Sequence, residues 1–365
     1  MTPVRDNLDY APDYAVPPGE TLLEKIQELG MSQTQLAMRL DLSEKHVSQI
    51  VNGQQPISQQ TAIGLERVTG IPAQFWNRRE AIYQERLARI QDVRRLSKEL
   101  EALKQVPVGE LIRRGLLREK KDRPVQLQEV LSFFGVSNTD AMFALWESEK
   151  AAARKSKAFA SHPGCTATWL RLGEMTAAKL PCREYDRAHF FSAVQSIRSL
   201  TVQSPGKFVP EMTRLCAEAG VAFVLVPEIG QVRWYGASKW LTPRKGLIQL
   251  SLRGKKDDQF WFSFFHEAGH ILTHGKKEMY INEGSDDDPL ERQADDFARK
   301  LLIPTHRVAD VLKARCEADI IHLAASLGIS PGIVAGRYQH ETRRYNRFNR
   351  LKRTFQWDLS DRPGR

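Results

Sequence analysis

Cysteine is scarce in this chain and never paired. The four residues (Cys165, Cys182, Cys216, Cys316) are far apart and no two form C-x-x-C, which argues against a disulfide scaffold and for a reduced cytosolic setting with free thiols. Long apolar runs are missing too. The longest, Val221-Ala222-Phe223-Val224-Leu225-Val226, is too short to span a bilayer, so no membrane partner is expected. Met1 to Pro18 contains Asp, Pro and Tyr but no apolar stretch, so no secretory signal is expected. Acidic residues are outnumbered, 44 against 54 Lys and Arg, and the net charge of +10 biases the chain toward an anionic partner, of which nucleic acid is the commonest. With 41% apolar and 27% charged residues, wholesale disorder is not expected, and 365 residues allow two or three domains, each with a core.

What is there centres on Phe264-Phe265-His266-Glu267-Ala268-Gly269-His270-Ile271-Leu272, which reads His-Glu-x-x-His. On a helix, His266 and His270 fall one turn apart on one face and can reach a single cation, while Glu267 points at water held there. A third protein ligand is needed. Glu291, on a second amphipathic segment with Asp295 four residues on, is one candidate; His274, four residues beyond His270, is the other, and spacing favours Glu291. Two imidazoles and a carboxylate leave a fourth position open, which suits Zn2+. Glu267 would take the proton of an acidified water and pass it to the leaving amine, and Asp295 would hold the distal ring N–H of one histidine. The developing oxyanion needs a further donor, for which Tyr280 and His306 are candidates. Asp286-Asp287-Asp288 lacks the spacing of a calcium loop and reads as an acidic surface loop.

The first eighty residues carry a different signal. Glu20 to Leu29 is an amphipathic helix stopped by Gly30; Ser32 caps the next, with Gln35 three residues on. After the turn at Asp41-Leu42, Ser43 caps a helix through Val47, Ile50 and Val51 to Asn52-Gly53, completing a helix-turn-helix. That last helix exposes Glu44, Lys45, His46, Ser48, Gln49 and Asn52, side chains able to bond base edges or phosphates. Ser58 caps a fourth helix and Ile71-Pro72-Ala73 starts a fifth. The alternative for this bundle is protein contact or dimerisation.

From Arg79 to about Glu119 the pattern predicts one or two long charged helices, and Leu117 to Pro124 a charged loop. Residues 125 to 180 read as further helix with Leu127, Val130, Leu131, Phe133 and Phe134 as core. After Pro181 two helices (Phe190 to Leu200, Val209 to Ala219) precede three strand candidates: Val221 to Val226, Val232 to Ala237 and Leu247 to Leu250, with Gly236 and Gly246 as turn or bulge positions. The edge of such a sheet can take up an extended peptide as one more strand. Arg343 to Phe355 is basic with interleaved aromatics, and reads as a fraying or phosphate-touching tail.

Two stretches resemble known families. Residues 19 to 85, through Met31-Ser32-Gln33-Thr34-Gln35-Leu36-Ala37, Val47-Ser48-Gln49-Ile50-Val51-Asn52-Gly53 and Gly70-Ile71-Pro72-Ala73-Gln74-Phe75-Trp76, resemble the HigA antitoxin-type branch of the Cro/repressor-like helix-turn-helix family. The resemblance implies that the helix starting at Ser43 enters the major groove of duplex DNA and that Gln33 meets phosphate. Residues 181 to 340, through the His-Glu-x-x-His stretch, Glu291 to Ala298 and Leu301-Leu302-Ile303-Pro304, resemble the ImmA/IrrE family of zinc metallopeptidases, whose members cleave helix-turn-helix repressors. This implies His266, His270 and Glu291 as ligands and Glu267 as the catalytic carboxylate.

The expected architecture is therefore mainly α with a small β-sheet (α+β): a helix-turn-helix bundle over 19–85, a helical linker region over 86–180, a zincin-like peptidase domain over 181–340 and a basic tail over 341–365. The expected function is that of a cytoplasmic DNA-binding regulator whose zinc endopeptidase domain cleaves a repressor- or antitoxin-like protein. A homodimer would suit paired half-sites, although no residue requires one. The rival reading is a non-enzymatic transcriptional regulator or antitoxin with a structural or sensory metal site.

Overall fold

A computed structural model describes residues 14–152, 162–230, 234–253, 255–275, 279–282 and 289–357. It divides the chain into two compact units, the first formed by residues 1–100 with 122–125, the second by 101–121 with 126–365.

In the first unit, helices α1 (Pro18–Glu28), α2 (Gln33–Leu40), α3 (Glu44–Val51) and α4 (Gln59–Thr69) are cut to length by their ends. At the start of α2, the Gln35 amide donates to Ser32 Oγ (3.1 Å) while Ser32 N–H donates to Gln35 Oε1 (2.9 Å), a reciprocal capping box. Asp41 ends α2 in the left-handed region (φ 55°), which turns the chain sharply into α3. Ser43 accepts from the His46 amide and Ser58 from the Thr61 amide, satisfying otherwise orphan donors of α3 and α4. The apolar stripes close on a core that includes Leu22, Ile26, Leu36, Val47, Leu65 and Trp76. Helix α5 (Ala73–Leu96) follows as one long helix rich in charged residues.

The second unit is built on a four-stranded mixed sheet in the order β1-β3-β2-β4: β1 (Val221–Leu225), β2 (Gly236–Thr242), β3 (Lys245–Leu250) and β4 (Tyr280–Asn282). β1 lies parallel to β3, whereas β2 pairs antiparallel with both β3 and β4. Before the sheet come α6 (Val108–Arg113), α7 (Arg123–Phe134), α8 (Thr139–Ala152), α9 (Pro163–Lys179), α10 (Arg187–Ser199) and α11 (Pro205–Glu218). After it come α12 (Asp257–Thr273), α13 (Pro289–Leu302), α14 (Val308–Lys313), α15 (Glu317–Leu327) and α16 (Pro331–Thr342). The two faces of β2 show how the sheet is covered. Ser238 bonds Glu267 on α12, and the next residue, Lys239, bonds Glu149 on α8 and Glu174 on α9, as the two-residue side-chain alternation of a strand requires. The α12 side holds the main core, in which Phe190, Phe208, Phe223, Trp261, Phe264 and Phe265 are fully buried or nearly so.

Several expectations are corrected. Within 86–180, the first part completes α5, and the last helix, α9, packs on the sheet. The rings of Trp169 and Trp234 stack at 5.1 Å, Trp169 Nε1 donates to the Val226 carbonyl (3.1 Å), and Gln249 Nε2 donates to the Trp169 carbonyl (2.8 Å). The strand expected over 232–237 runs over Gly236–Thr242 instead, residues 231–233 lying outside the described residues. Gly236 and Gly246 are strand residues, and β4 had no counterpart in the sequence reading. The tail does not fray as far as Phe355. Arg353 donates to buried Asp257 (3.1 Å) and to the Gln203 carbonyl (2.8 Å), and Phe348 and Phe355 are buried, because the tail's aromatics complete the core. The acidic loop at 286–288 lies outside the described residues. Among the described residues, no single helix is long and apolar enough to cross a membrane.

Candidate metal centre and nucleic-acid helix

Helix α12 is apolar on nearly every side, so its polar residues are carried into the interior: His266, Glu267 and His270 are 2%, 0% and 2% exposed. Such burial requires partners. Gly269, inside the His-Glu-x-x-His stretch, supplies access to them, since a Cβ there would stand 3.2 Å from Ala294 Cα. The backbones of α12 and α13 therefore approach closely, and Glu291 on α13 meets both imidazoles. His266 Nε2 lies 3.0 Å from His270 Nε2 and 3.0 Å from Glu291 Oε2, and His270 Nε2 lies 3.5 Å from Glu291 Oε1. A tetrahedral zinc with bonds of about 2.05 Å has ligand-to-ligand edges of roughly 3.3 Å. The two imidazole nitrogens and the two oxygens of the Glu291 carboxylate thus already stand near the spacing of ligands on one such ion, and this donor set fits the cation.

Each imidazole is held from behind. His266 Nδ1 lies 2.8 Å from Asp295 Oδ1, and the other oxygen of Asp295 accepts from Arg299 (2.7 Å). His270 Nδ1 lies 2.8 Å from His274 Nδ1, and His274 Nε2 lies 3.2 Å from Gln293 Oε1. These contacts assign a proton to Nδ1 of each inner histidine and turn Nε2 of both toward Glu291. Tyr280 of β4 stacks on the His270 ring at 3.9 Å. Glu267 turns the other way, toward the sheet. Its Oε2 accepts from Ser238 Oγ (2.6 Å), while its Oε1 is buried without a partner among the described residues. Gly236 makes room for it: a Cβ there would sit 2.8 Å from Glu267 Oε1.

The electrostatics are those of a buried cage that attracts a positive charge. For His266 burial opposes the charged ring, yet the hydrogen bonds to Asp295 and Glu291 outweigh it and lift the pKa to about 10. Burial, helped by the neighbouring His266 charge, lowers His270 to about 4 even though Glu291 favours its charged form. Glu291 falls to about 2 against the effect of burial, because both histidines bond it. Burial pushes Glu267 up to about 8 despite His266 and Ser238. One proton on His266 between two carboxylates stands where a cation would be favoured.

A cleft of about 470 Å³ opens beside this cage, lined by α12, α13 and α16 together with Tyr235 and Tyr345. Family comparisons follow the same division. Residues 231–339 match the family model described as the IrrE N-terminal-like domain, of the M78 peptidases, and residues 22–76 match that described as Helix-turn-helix. The chain joins a helix-turn-helix domain to an IrrE-like peptidase-family domain. Three solved structures are similar to its N-terminal part. An addiction module antidote protein of the HigA family from Coxiella burnetii is 31% identical over 23% of this chain and 94% of its own (TM-score 0.22). Antitoxin HigA from Pseudomonas aeruginosa with the higBA promoter is 32% identical over 24% and 95% (TM-score 0.22). PA4674 from the same organism, in complex with its operator DNA, is 36% identical over 20% and 82% (TM-score 0.20). No curated protein matches the chain.

Within the IrrE-like domain, the structure brings together His266, Glu267, His270, Glu291 and Asp295, and sets Tyr280 against His270. It does not bring His306 to the cleft, because that residue is exposed on the turn Thr305–Arg307. His274 is not the third member of the cage either. Helix α12 ends at Thr273, and His274, extended at φ −110° and ψ 168°, turns its Nδ1 to His270. Sequence reasoning missed Ser238 and read Gly236 only as a turn or bulge position; no local signal marks either as a neighbour of Glu267. In the helix-turn-helix domain, Ser43, Glu44, Lys45 and Asn52 are exposed, and Gln33, His46, Ser48 and Gln49 are half-buried at the edge of the α2–α3 surface. Asn52 Nδ2 is turned back to the Ser48 carbonyl at 2.8 Å.

Proposed function

We propose that the IrrE-like domain is a zinc-dependent endopeptidase and that the helix-turn-helix domain binds duplex DNA, the substrate being a repressor- or antitoxin-like protein in the cytoplasm. The observation that carries this reading is the pairing of a focused His266, His270 and Glu291 cage with a buried carboxylate, Glu267, whose Oε1 has no partner among the described residues. A purely structural metal site has no use for that carboxylate.

His266, His270 and Glu291 would hold the zinc, which supplies Lewis acidity and makes water acidic enough to attack a peptide carbonyl near neutral pH. Glu267 Oε1 takes the proton of the attacking water and returns it to the leaving amine nitrogen. Ser238 fixes Oε2, so the rotamer of the base is set before substrate arrives. Asp295, held by Arg299, keeps the His266 ring in one tautomer, and His274 does the same for His270. In the other domain α3 lies in the major groove, with Lys45, His46, Ser48, Gln49 and Asn52 offered to the duplex and Gln33 to phosphate. DNA binding of paired half-sites would bring two chains together as a homodimer.

The test is Glu267→Gln in the full chain. The expected result is full zinc content with loss of cleavage of co-expressed regulators; a variant that keeps every measurable function of a wild type that cleaves none of them would favour the non-enzymatic regulator, and wild-type cleavage by the variant would remove Glu267 from the role of base.

A further inference from the structure

The charges that line the cleft beside the cage are matched to one another. Arg299 is held by Asp295 (2.7 Å) and Asp296 (3.4 Å), Arg337 by Glu341 (2.9 Å), and Asp258 by Lys352 (2.6 Å). Arg343 donates to the Tyr345 hydroxyl at 3.2 Å. One stretch of the wall is uncharged. Gln259, Phe262 and Ser263 share with His266 one face of α12, at steps of three, one and three residues, and all line the cleft. Gln259 is engaged, since its Nε2 donates to the Tyr235 hydroxyl at 2.9 Å. Ser263 differs. The residue is 4% exposed and lines the cleft, yet its hydroxyl has no hydrogen-bond partner among the described residues. It does not bond the carbonyl one turn back either, as Thr273 of the same helix bonds Gly269 at 2.7 Å. Phe262 and, from α16, Ile333 add apolar wall.

We propose that Ser263 determines specificity: its hydroxyl reads an uncharged polar side chain, the alcohol of Thr or the amide of Asn, on the polypeptide being cut. The inference rests on the peptidase reading, because the cleft opens on the same His266 and Glu291. Such a side chain satisfies the Ser263 hydroxyl and lays its carbon atoms on Phe262 and Ile333. An apolar side chain leaves that hydroxyl unpaired in a nearly closed wall. A charged one gives up water for neighbours whose own charges are already matched. Ser263 stands three residues before His266, about 4.5 Å of helix rise. Since an extended chain advances about 3.4 Å per residue, the residue read lies within about two positions of the scissile bond.

The experiment uses the full-length zinc-loaded chain and peptide pools that are N-acetylated and C-amidated. The pools are randomised alike except at one position, moved in turn along the peptide, which holds Thr or its near-isostere Val, and in a second pair Asn or Leu. Mass spectrometry reads the site and rate of cleavage. Wild type is expected to prefer Thr over Val, and Asn over Leu, about fivefold at one position within two residues of the cut. Ser263→Ala should bring both ratios to parity or invert them. That variant removes a hydroxyl with no partner in the protein, so its zinc content and melting temperature should match wild type; Ser263→Thr, which keeps the hydroxyl, should keep the preference. Parity in wild type, an unchanged preference in Ser263→Ala, or an equal loss of rate on all pools overturns the proposal, the last because it marks a contact to peptide backbone. If wild type cuts no pool, the peptidase reading has failed; fluorescence anisotropy with the same pools then decides the pocket. Thr- and Asn-selective binding that Ser263→Ala abolishes supports it, and equal binding refutes it.

Discussion

Two glycines of the sheet should respond to alanine with opposite sign. Neither has a positive φ, so backbone strain plays no part and the added methyl decides. At Gly236 the Cβ would stand 2.6 Å from Leu250 Cδ2, 2.8 Å from Glu267 Oε1 and 3.0 Å from Glu267 Cγ, all inside normal contact. Leu250 can yield at its tip. Glu267 cannot yield without leaving Ser238, so the carboxylate must move by several tenths of an ångström. Overpacking of this kind costs about 1–3 kcal/mol, which exceeds the ~0.4–1 kcal/mol gained by removing glycine from the unfolded chain. A misplaced base costs more in rate, up to about a hundredfold for a 1 Å shift. At Gly246 the nearest atoms, on Ile271 and Val221, stand at 3.4 Å, an ordinary contact, so Gly246→Ala should melt at or slightly above wild type. Differential scanning calorimetry, zinc content and peptide hydrolysis on both variants test this. Gly236→Ala should keep its zinc, melt lower and lose most activity. Wild-type turnover by Gly236→Ala would refute the placement of Glu267 over β2.

Three other outcomes follow from the structure. With zinc removed by chelator, His266 has a folded pKa of about 10 against 6.5, so its contribution to stability is complete below 6.5 and lost as pH rises toward 10; Glu267, raised from 4.5 to about 8, acts in the same direction. Metal-free protein should therefore melt lower at pH 9 than at pH 6.5, while the Tm rise on adding zinc grows with pH because the metal displaces the His266 proton; a zinc effect that shrinks with pH contradicts this. Arg353→Ala leaves Asp257, 0% exposed, with Ser330 but no cation; because Arg353 is itself 36% exposed, the cost should be about 2 kcal/mol by urea unfolding, and a change under 0.5 would show the tie to be idle. In the other domain, Lys45→Ala should weaken duplex DNA binding and lower the salt slope by about one, as measured by anisotropy across a salt series; an unchanged slope removes Lys45 from the interface.

The cage was legible because its chemistry is local. His266, Glu267 and His270 are fixed by one helix turn, and Glu291 and Asp295 by another, so period and residue type suffice. The capped helices of the first unit were legible for the same reason, through Ser32, Ser43 and Ser58. What escaped was long-range pairing. Nothing local to Ser238 says that it faces Glu267, 29 residues away, and nothing local to Arg353 says that it closes over Asp257, 96 residues before it. The role of α9 was hidden likewise. Its Trp169, within a stretch read only as further helix, meets Trp234 and the Val226 carbonyl, 65 and 57 residues on. His274 shared the four-residue spacing and was the weaker candidate beside Glu291; the helix stops one residue before it.

The central claim is that His266, His270 and Glu291 together hold one zinc. Native mass spectrometry of the full chain measures this directly when wild type, Glu291→Gln and His274→Ala are compared after zinc loading and desalting. One zinc per chain is expected in wild type and His274→Ala, with its loss in Glu291→Gln. A wild type without metal, or a Glu291→Gln that keeps zinc while His274→Ala loses it, would contradict the account.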